Sequence, residues 1–250
     1  MLKRLLYLLF LPVFFGCSSS SKEFAAFHDA QSAFESGAFL QAADLYQDLA
    51  GQGFKSGAVY YNLGNTWAKA GEPGKAAAAY LLAKRYIPND PQLNANLQEV
   101  LKENGGLPAV SEKPLFEHIF FWQNSIGIQT KIAVSLFFSV LTFFGGVLAL
   151  FWKKQRLKQI VFYAVLLTLL TVCSAGYDWY RYDFLRNVIV VEKNAMPRKG
   201  NSEQYEPVFV SPILFGTTAT VLDERSEWYF LRFPGGLEGW LPKIQTQRLE

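Results

Sequence analysis

A 34-residue stretch, Gly57 to Asp90, alternates small and large side chains in the way that two antiparallel helices require for close packing. Small residues at Gly64 and Ala76 let the two backbones approach each other. Large aromatic residues are spaced so that they fill the volume around these two small residues: Tyr60, Trp67 and Tyr80. Gly71 marks a turn, and Pro88 marks the end of the second helix. The stretch therefore predicts a pair of packed helices.

The order and spacing of these positions resemble one tetratricopeptide (TPR) repeat, a unit that stacks into arrays. Nine positions carry the resemblance: Tyr60, Leu63, Gly64, Trp67, Gly71, Ala76, Tyr80, Ala83 and Pro88. The resemblance implies a surface that binds proteins and does no chemistry itself. It also implies that the fifth, ninth and thirteenth positions line the concave face, which here are Tyr61, Asn65 and Lys69. The alternative is that these three side chains are ordinary solvated surface.

The array is short. One period upstream, Glu23 to Ser56 reads as a degenerate first repeat, with Ala30 in the place of Gly64. Downstream, Pro91 to Asn104 resembles the capping helix that covers the last repeat of an array. Residues 22–106 are thus expected to form an all-α TPR domain of about five helices. Since stability by stacking takes roughly three repeats, we expect neighbouring segments or a partner to help stabilise it.

The N-terminus has the features of an export signal. Two basic residues precede an apolar run, Leu5 to Phe15, which is too short to span a bilayer. The run ends at Gly16 and Cys17 and is followed by serines, a pattern that resembles a bacterial lipobox and implies lipidation of Cys17. The alternative is an ordinary signal peptide cleaved near Gly16. Either interpretation places the TPR domain outside the cytoplasm.

Two long apolar runs follow, and half of the chain's residues are hydrophobic. Ile132 to Trp152 and Ile160 to Tyr177 contain no charged residue, and they predict transmembrane helices over 131–152 and 160–178. The intervening loop, 153–159, carries four lysines and arginines. The alternative, a buried hairpin of a soluble protein, fits poorly with runs so uniformly apolar. Residues 107–130 are expected to be a linker followed by an interfacial aromatic segment.

The charge of the loop predicts the orientation of this hairpin. Basic loops stay in the cytoplasm, so the chain enters the cytoplasm at 153–159 and then returns outward. The exported N-terminus leads to the same orientation independently. We therefore expect a multi-pass protein of the bacterial cytoplasmic membrane, with both soluble modules outside the cytoplasm.

The C-terminal segment, 187–250, changes character. Its β-branched and aromatic residues alternate with period two between frequent turns, which predicts strands. We expect them over Asn187–Glu192, Thr217–Asp223, Trp228–Phe233 and Glu238–Pro242. A Trp-Tyr strand, a glycine hairpin and a Gly-Trp strand in this order resemble an all-β bacterial SH3-like barrel. Trp228 and Trp240 are expected to pack in or beside its core; the alternative is that they line a ligand groove.

No catalytic or metal-binding pattern stands out. The two histidines, His28 and His118, are far apart, and Cys173 lies within the second apolar run. The net charge is only +3, and no basic stripe interleaves with aromatic residues, so nucleic-acid binding has no support. We expect no enzyme activity, no cofactor and no metal.

The complete order of segments resembles the BatE family of Bacteroides-aerotolerance operon proteins. The resemblance covers nearly the whole chain and is carried by Gly57–Asp90 and by Thr217–Leu241. It implies partners among membrane proteins with von Willebrand A domains and a MoxR-type AAA ATPase. It also implies a role in oxidative-stress tolerance and envelope integrity.

Two classes of function remain for a multi-domain membrane protein of this kind. The first is a non-enzymatic scaffold whose TPR face binds an envelope protein. The second is a cell-wall module, in which the SH3-like barrel binds peptidoglycan peptide and the TPR domain recruits a hydrolase.

Overall fold

A computed structural model describes residues 20–102, 121–152, 154–180 and 187–249. Within these ranges the chain forms seven α-helices, followed by a small antiparallel sheet of five strands. The expected helical part, apolar hairpin and β part are therefore confirmed at this level of description. Cys17, His118 and most of the expected linker lie outside the described residues.

Five helices occupy the segment in which about five were expected. They are α1 (Ser20–Glu35), α2 (Phe39–Gly51), α3 (Gly57–Lys69), α4 (Pro73–Lys84) and α5 (Pro91–Lys102). The Ser56 side chain caps α3 by accepting a bond from the Val59 N–H at 3.2 Å. Gly71, with a φ of +78°, makes the turn into α4, which Pro73 begins.

The small and large residues of the repeat pack as a complementary set. The Tyr80 ring lies directly against the bare backbone of Gly64, where even a methyl group would overlap it. Ala76 is fully buried, and Tyr80 is 1% exposed. Tyr60 stacks on Tyr86 with ring centroids 5.9 Å apart. The helix pair therefore depends on aromatic rings that fill the space left by missing side chains.

The two apolar runs form long helices, α6 (Ile128–Phe151) and α7 (Gln155–Trp179), packed side by side. Both are long and apolar enough to span a membrane. Their outward side chains are exposed, including Phe137 at 63% and Ile160 at 64%. The connection is shorter than the expected loop, because α7 begins at Gln155 and takes the last two of the four basic residues into its first turns.

The five strands are β1 (Asn187–Val190), β2 (Thr218–Arg225), β3 (Trp228–Arg232), β4 (Glu238–Pro242) and β5 (Thr246–Arg248). Their order in the sheet is β4-β3-β2-β1-β5, with every neighbouring pair antiparallel. Gly235 and Gly236, both at positive φ, make the predicted hairpin turn between β3 and β4. Tyr229, Leu231 and Leu241 are buried in the core of this sheet.

The sheet packs on the helical array. Ile189 and Phe215 are fully buried and belong to the same apolar cluster as the cores of α3, α4 and α5. At the start of α4, the Val191 backbone lies so close to Gly74 that a side chain there would overlap it. The array also contacts the hairpin, since the Ile128 N–H donates to the Arg85 carbonyl at 3.1 Å. Neighbouring segments thus cover an edge that a short array would otherwise leave open.

Candidate functional site

A cluster of hydrogen-bonded tyrosine and asparagine side chains joins three helices of the array. The Tyr80 hydroxyl donates to Asn65 Oδ1 at 2.7 Å. Asn96 Nδ2 donates to the same oxygen at 3.0 Å and to the Tyr61 hydroxyl at 3.2 Å. The ring of Tyr61 also lies against that of Tyr80, with centroids 6.1 Å apart. The cluster fixes α3 against α4 and α5.

A related tyrosine–asparagine hydrogen bond occurs earlier in the chain. Tyr46 and Asn62 precede Tyr80 and Asn96 by 34 residues each. Burial raises the pKa of the Tyr46 hydroxyl, and its hydrogen bond with Asn62 acts in the opposite direction. Burial likewise raises the pKa of Tyr80, against the lowering effect of Asn96. This periodic Tyr–Asn spacing was not predicted from the sequence, although a comparison of polar positions between the two predicted repeats would have found it.

The three candidate partner-binding residues lie along α3 at intervals of one turn. Tyr61 and Asn65 are half-buried, whereas Lys69 is exposed. The Asn65 oxygen already accepts bonds from Tyr80 and Asn96, so its side chain supports the array. Lys69 presents its ammonium group to solvent near the end of α3. The assignment of these residues to a partner-binding face remains a prediction, with Lys69 as its most accessible member.

A buried polar network closes the end of the hairpin that lies away from the connection between α6 and α7. Lys131 of α6 and Asp178 of α7 form an ion pair at 2.5 Å, with side chains only 4% and 7% exposed. Gln123, in a short 3-10 turn before α6, donates to Asp178 Oδ1 at 2.7 Å, and its backbone carbonyl accepts from Lys131. The Ser174 hydroxyl donates to Gln123 Oε1 at 2.6 Å. Each of the two charges thus has two hydrogen-bonded partners.

The transmembrane ranges predicted from the sequence, 131–152 and 160–178, begin at Lys131 and end at Asp178, but the pairing of these two charges was not predicted. A signal was nevertheless present, because residues near the start of one helix lie opposite residues near the end of the next when the two run antiparallel. Farther along the hairpin, Thr142 and Thr168 are joined by a hydroxyl–hydroxyl bond of 2.9 Å. Polar contacts of this kind set the register of two helices in an apolar medium.

Trp228 and Trp240 lie on the face of the sheet opposite the core residues of β3 and β4. Phe230 pairs with Trp240 across the strands, at a centroid distance of 5.2 Å. The Arg225 guanidinium lies 5.3 Å from the centre of the Trp240 ring. Trp240 is only 8% exposed, while Trp228 is half-buried. Both therefore pack beside the core and not within it.

Among the described residues, no group of three or more His, Cys, Asp or Glu side chains could hold a metal ion. His28 is exposed on α1, and Cys173 is a free, exposed thiol on α7.

Comparison of the chain with protein-family models, with curated proteins and with solved structures finds no match.

Proposed function

We propose that this protein is a membrane-anchored scaffold, non-enzymatic and similar to the BatE family, whose TPR array binds an envelope protein outside the cytoplasm. The observation that carries the proposal is the joining, in one chain, of an array of paired helices to a hairpin whose apolar surface is uncovered. A soluble protein would bury such a surface in its core. A bilayer supplies the apolar surroundings that these two helices lack.

The TPR assignment is supported by helix pairs of the expected length and by the recurrence of Tyr46–Asn62 as Tyr80–Asn96. The SH3-like assignment is supported by a small antiparallel sheet with a glycine hairpin and a 3-10 turn, Lys243–Gln245, before the last short strand. We propose that both modules lie outside the cytoplasm, with Lys154 before α7 and Arg156 in its first turn inside.

We also propose that Cys17 is lipidated, on the strength of the lipobox-like sequence that precedes the serines. Metabolic labelling with a clickable fatty acid tests this directly. Labelling of the parent protein that is lost in Cys17→Ala supports a lipid anchor, whereas an unlabelled parent refutes it without affecting export.

The partner-binding face is expected to act mainly through Lys69, because its cation is exposed, whereas Tyr61 and Asn65 are half-buried. A cation of this kind suits an acidic segment on an envelope protein, and the family resemblance points to von Willebrand A-domain proteins served by a MoxR-type ATPase. Interface energy concentrates in a few such anchors.

Co-purification from membranes tests the scaffold function. Lys69→Ala should lower recovery of the partner several-fold. Lys75→Ala is the matched control on α4: its side chain is 41% exposed and pairs with Glu72 at 3.7 Å, and its ammonium also lies 4.6 Å from the centre of the Trp67 ring. Equal recovery from both variants and the parent would remove the α3 face from the proposal. Asn65 is left unchanged, since its loss would break the tyrosine–asparagine cluster.

A further inference from the structure

A pocket of about 430 Å³ opens at one end of the helical array, between the start of α1, the end of α2 and the start of α3. Its lining is largely apolar and includes Phe27, Leu49, Phe54 and Val59. Phe24 lines it as well, but 73% of this residue is exposed, so its ring belongs to the rim. An open apolar pocket with an exposed aromatic ring at its rim is typical of a surface that contacts another apolar body.

The alternating direction of the helices determines which other elements lie at this end. Because neighbouring helices run antiparallel, the end of α4 lies beside the start of α3. The structure shows this directly, since a methyl group added to Gly57, the first residue of α3, would lie 2.8 Å from Cγ2 of Ile87, shortly after α4. Leu40, in the first turn of α2, lies at the opposite end of the array.

The apolar hairpin of α6 and α7 is attached at the same end as the pocket. Arg85 directly follows α4, and its carbonyl accepts a bond of 3.1 Å from the N–H of Ile128, the first residue of α6. Asn89 Nδ2 donates to the Ser125 carbonyl at 2.8 Å. The axes of packed helices are about 8–10 Å apart, so the pocket lies within roughly 20 Å of the start of α6.

Aromatic side chains indicate where the membrane surface crosses the hairpin. Tyr177, Trp179 and Tyr180, in and just after the last turn of α7, are 40%, 60% and 46% exposed. Exposed Tyr and Trp side chains at the end of a spanning helix mark the headgroup level of a bilayer. The buried pair of Lys131 and Asp178 places this end of α7 beside the start of α6. The end of the array that carries the pocket therefore faces the bilayer.

The charged residues beside the pocket are balanced. Lys22 and Lys55 are exposed, while Glu23 and Asp48 lie close to them at the start of α1 and near the end of α2. A surface of this kind selects an apolar body and not a charged one. It suits the interfacial layer of a bilayer, which an aromatic ring can enter while neighbouring lysines keep their ammonium groups in water.

We propose that this end of the array docks on the lipid surface of the bilayer, with the Phe24 ring inserted at the headgroup level and lipid acyl chains against the pocket. This inference rests on the membrane placement of the hairpin given under the proposed function. Docking would hold the array in a fixed orientation over the membrane. Lys69, in the last turn of α3, lies at the opposite end and stays accessible to a partner.

Photo-crosslinking of the full chain in vesicles of phosphatidylcholine, with or without phosphatidylglycerol, tests the proposal. A photoreactive benzoylphenylalanine at position 55 reports lipid contact beside the pocket. The same group at position 72, the N-cap of α4, reports from the opposite end of the array. After irradiation, mass spectrometry measures the phospholipid attached to the chain. We expect several-fold more lipid at position 55 than at position 72 in both kinds of vesicle, because the docking surface is apolar.

Two aspartate substitutions separate the contribution of the ring from that of the rest of the surface. Phe24→Asp should lower lipid crosslinking from position 55 about tenfold, the effect expected when one aromatic ring no longer leaves water. Leu40→Asp is the matched control, because Leu40 is likewise exposed, at 64%, but lies at the opposite end. It should change the yield by less than about twofold. Since both side chains are exposed, both variants should keep the helical circular dichroism of the parent.

Equal lipid yields from positions 55 and 72 would overturn the proposal, as would a yield from position 55 that Phe24→Asp leaves unchanged. Lipid attachment only in the presence of phosphatidylglycerol would replace apolar docking by charge-driven binding. In native membranes, a crosslink from position 55 to a protein in place of lipid would make the pocket a protein-docking site. Alkaline extraction separates the two levels of the account. Release of the chain from membranes would refute the membrane placement, whereas a retained chain without lipid crosslinks at position 55 would refute the docking alone.

Discussion

Replacing Lys131 by Met is the perturbation for which the structure gives the largest expected effect. The change removes one member of a buried ion pair and leaves the Asp178 carboxylate, only 7% exposed, without its cation. It also removes a donor from the Gln123 carbonyl. Breaking a buried pair on one side costs about 3–5 kcal/mol, because the remaining charge is uncompensated. We expect a loss of this order in the free energy that holds the hairpin together.

The second arm is the charge-free double variant, Lys131→Met with Asp178→Leu. It removes both charges and leaves Gln123 with its Ser174 contacts. The lost amide bond to Asp178 costs about 1–3 kcal/mol, so the double variant should be more stable than the single one by about 2 kcal/mol. Lys154→Met, the same substitution at an exposed lysine, should change stability by less than about 0.5 kcal/mol.

Unfolding of the purified full chain by sodium dodecyl sulfate in mixed micelles, followed by tryptophan fluorescence, measures these free energies. The comparison of single and double variants isolates the coupling between the two charges. If Lys131→Met behaves like Lys154→Met, or if the double variant is the least stable of the set, the buried pair does not stabilise the hairpin.

Gly74→Ala should destabilise the contact between sheet and array by about 1–3 kcal/mol, because a methyl group would overlap the Val191 backbone. Gly51→Ala is the control, because a methyl group there meets open space. Thermal melting should show a lower midpoint for Gly74→Ala only, and equal midpoints for the two variants would contradict the prediction. Burial raises the pKa of Tyr60 from 10.0 to about 12. The folded chain then holds its proton more tightly than the unfolded chain, so this contribution to stability is complete below pH 10 and is lost as the pH rises toward 12; Tyr60→Phe should flatten that alkaline decline, and an unchanged slope would rule Tyr60 out as its source. An alkaline phosphatase fusion after Gly200 should be active, and an inactive fusion in a chain that accumulates normally would refute the proposed orientation.

Much of the fold could be predicted from local patterns. The spacing of Gly64, Trp67 and Tyr80 predicted the helix pair, since small and large residues at these intervals are typical of two closely packed helices. Continuous hydropathy predicted the hairpin, and glycine positions predicted the turn at Gly235 and Gly236. These features depend on residues close in sequence, so the pattern alone determines the element.

The contacts that could not be predicted join residues far apart in sequence. Gly74 and Val191 are 117 positions apart, and neither residue signals that the sheet packs on the array. Lys131 and Asp178 meet only because α6 and α7 run antiparallel. The resemblance to a repeat predicted Asn65 as a member of a binding face, which stays a prediction. Its hydrogen bonds to Tyr80 and Asn96 could not be predicted, because they depend on the relative height of three helices.

Photo-crosslinking in intact cells tests the scaffold function most directly. A photoreactive benzoylphenylalanine at position 69 would lie on the accessible end of α3, and the same group at position 75 provides the control on α4. The account predicts a crosslink from position 69 to another envelope protein and none from position 75. Crosslinks of equal yield from both positions, or none from position 69 in a chain that is exported and folded, would contradict it.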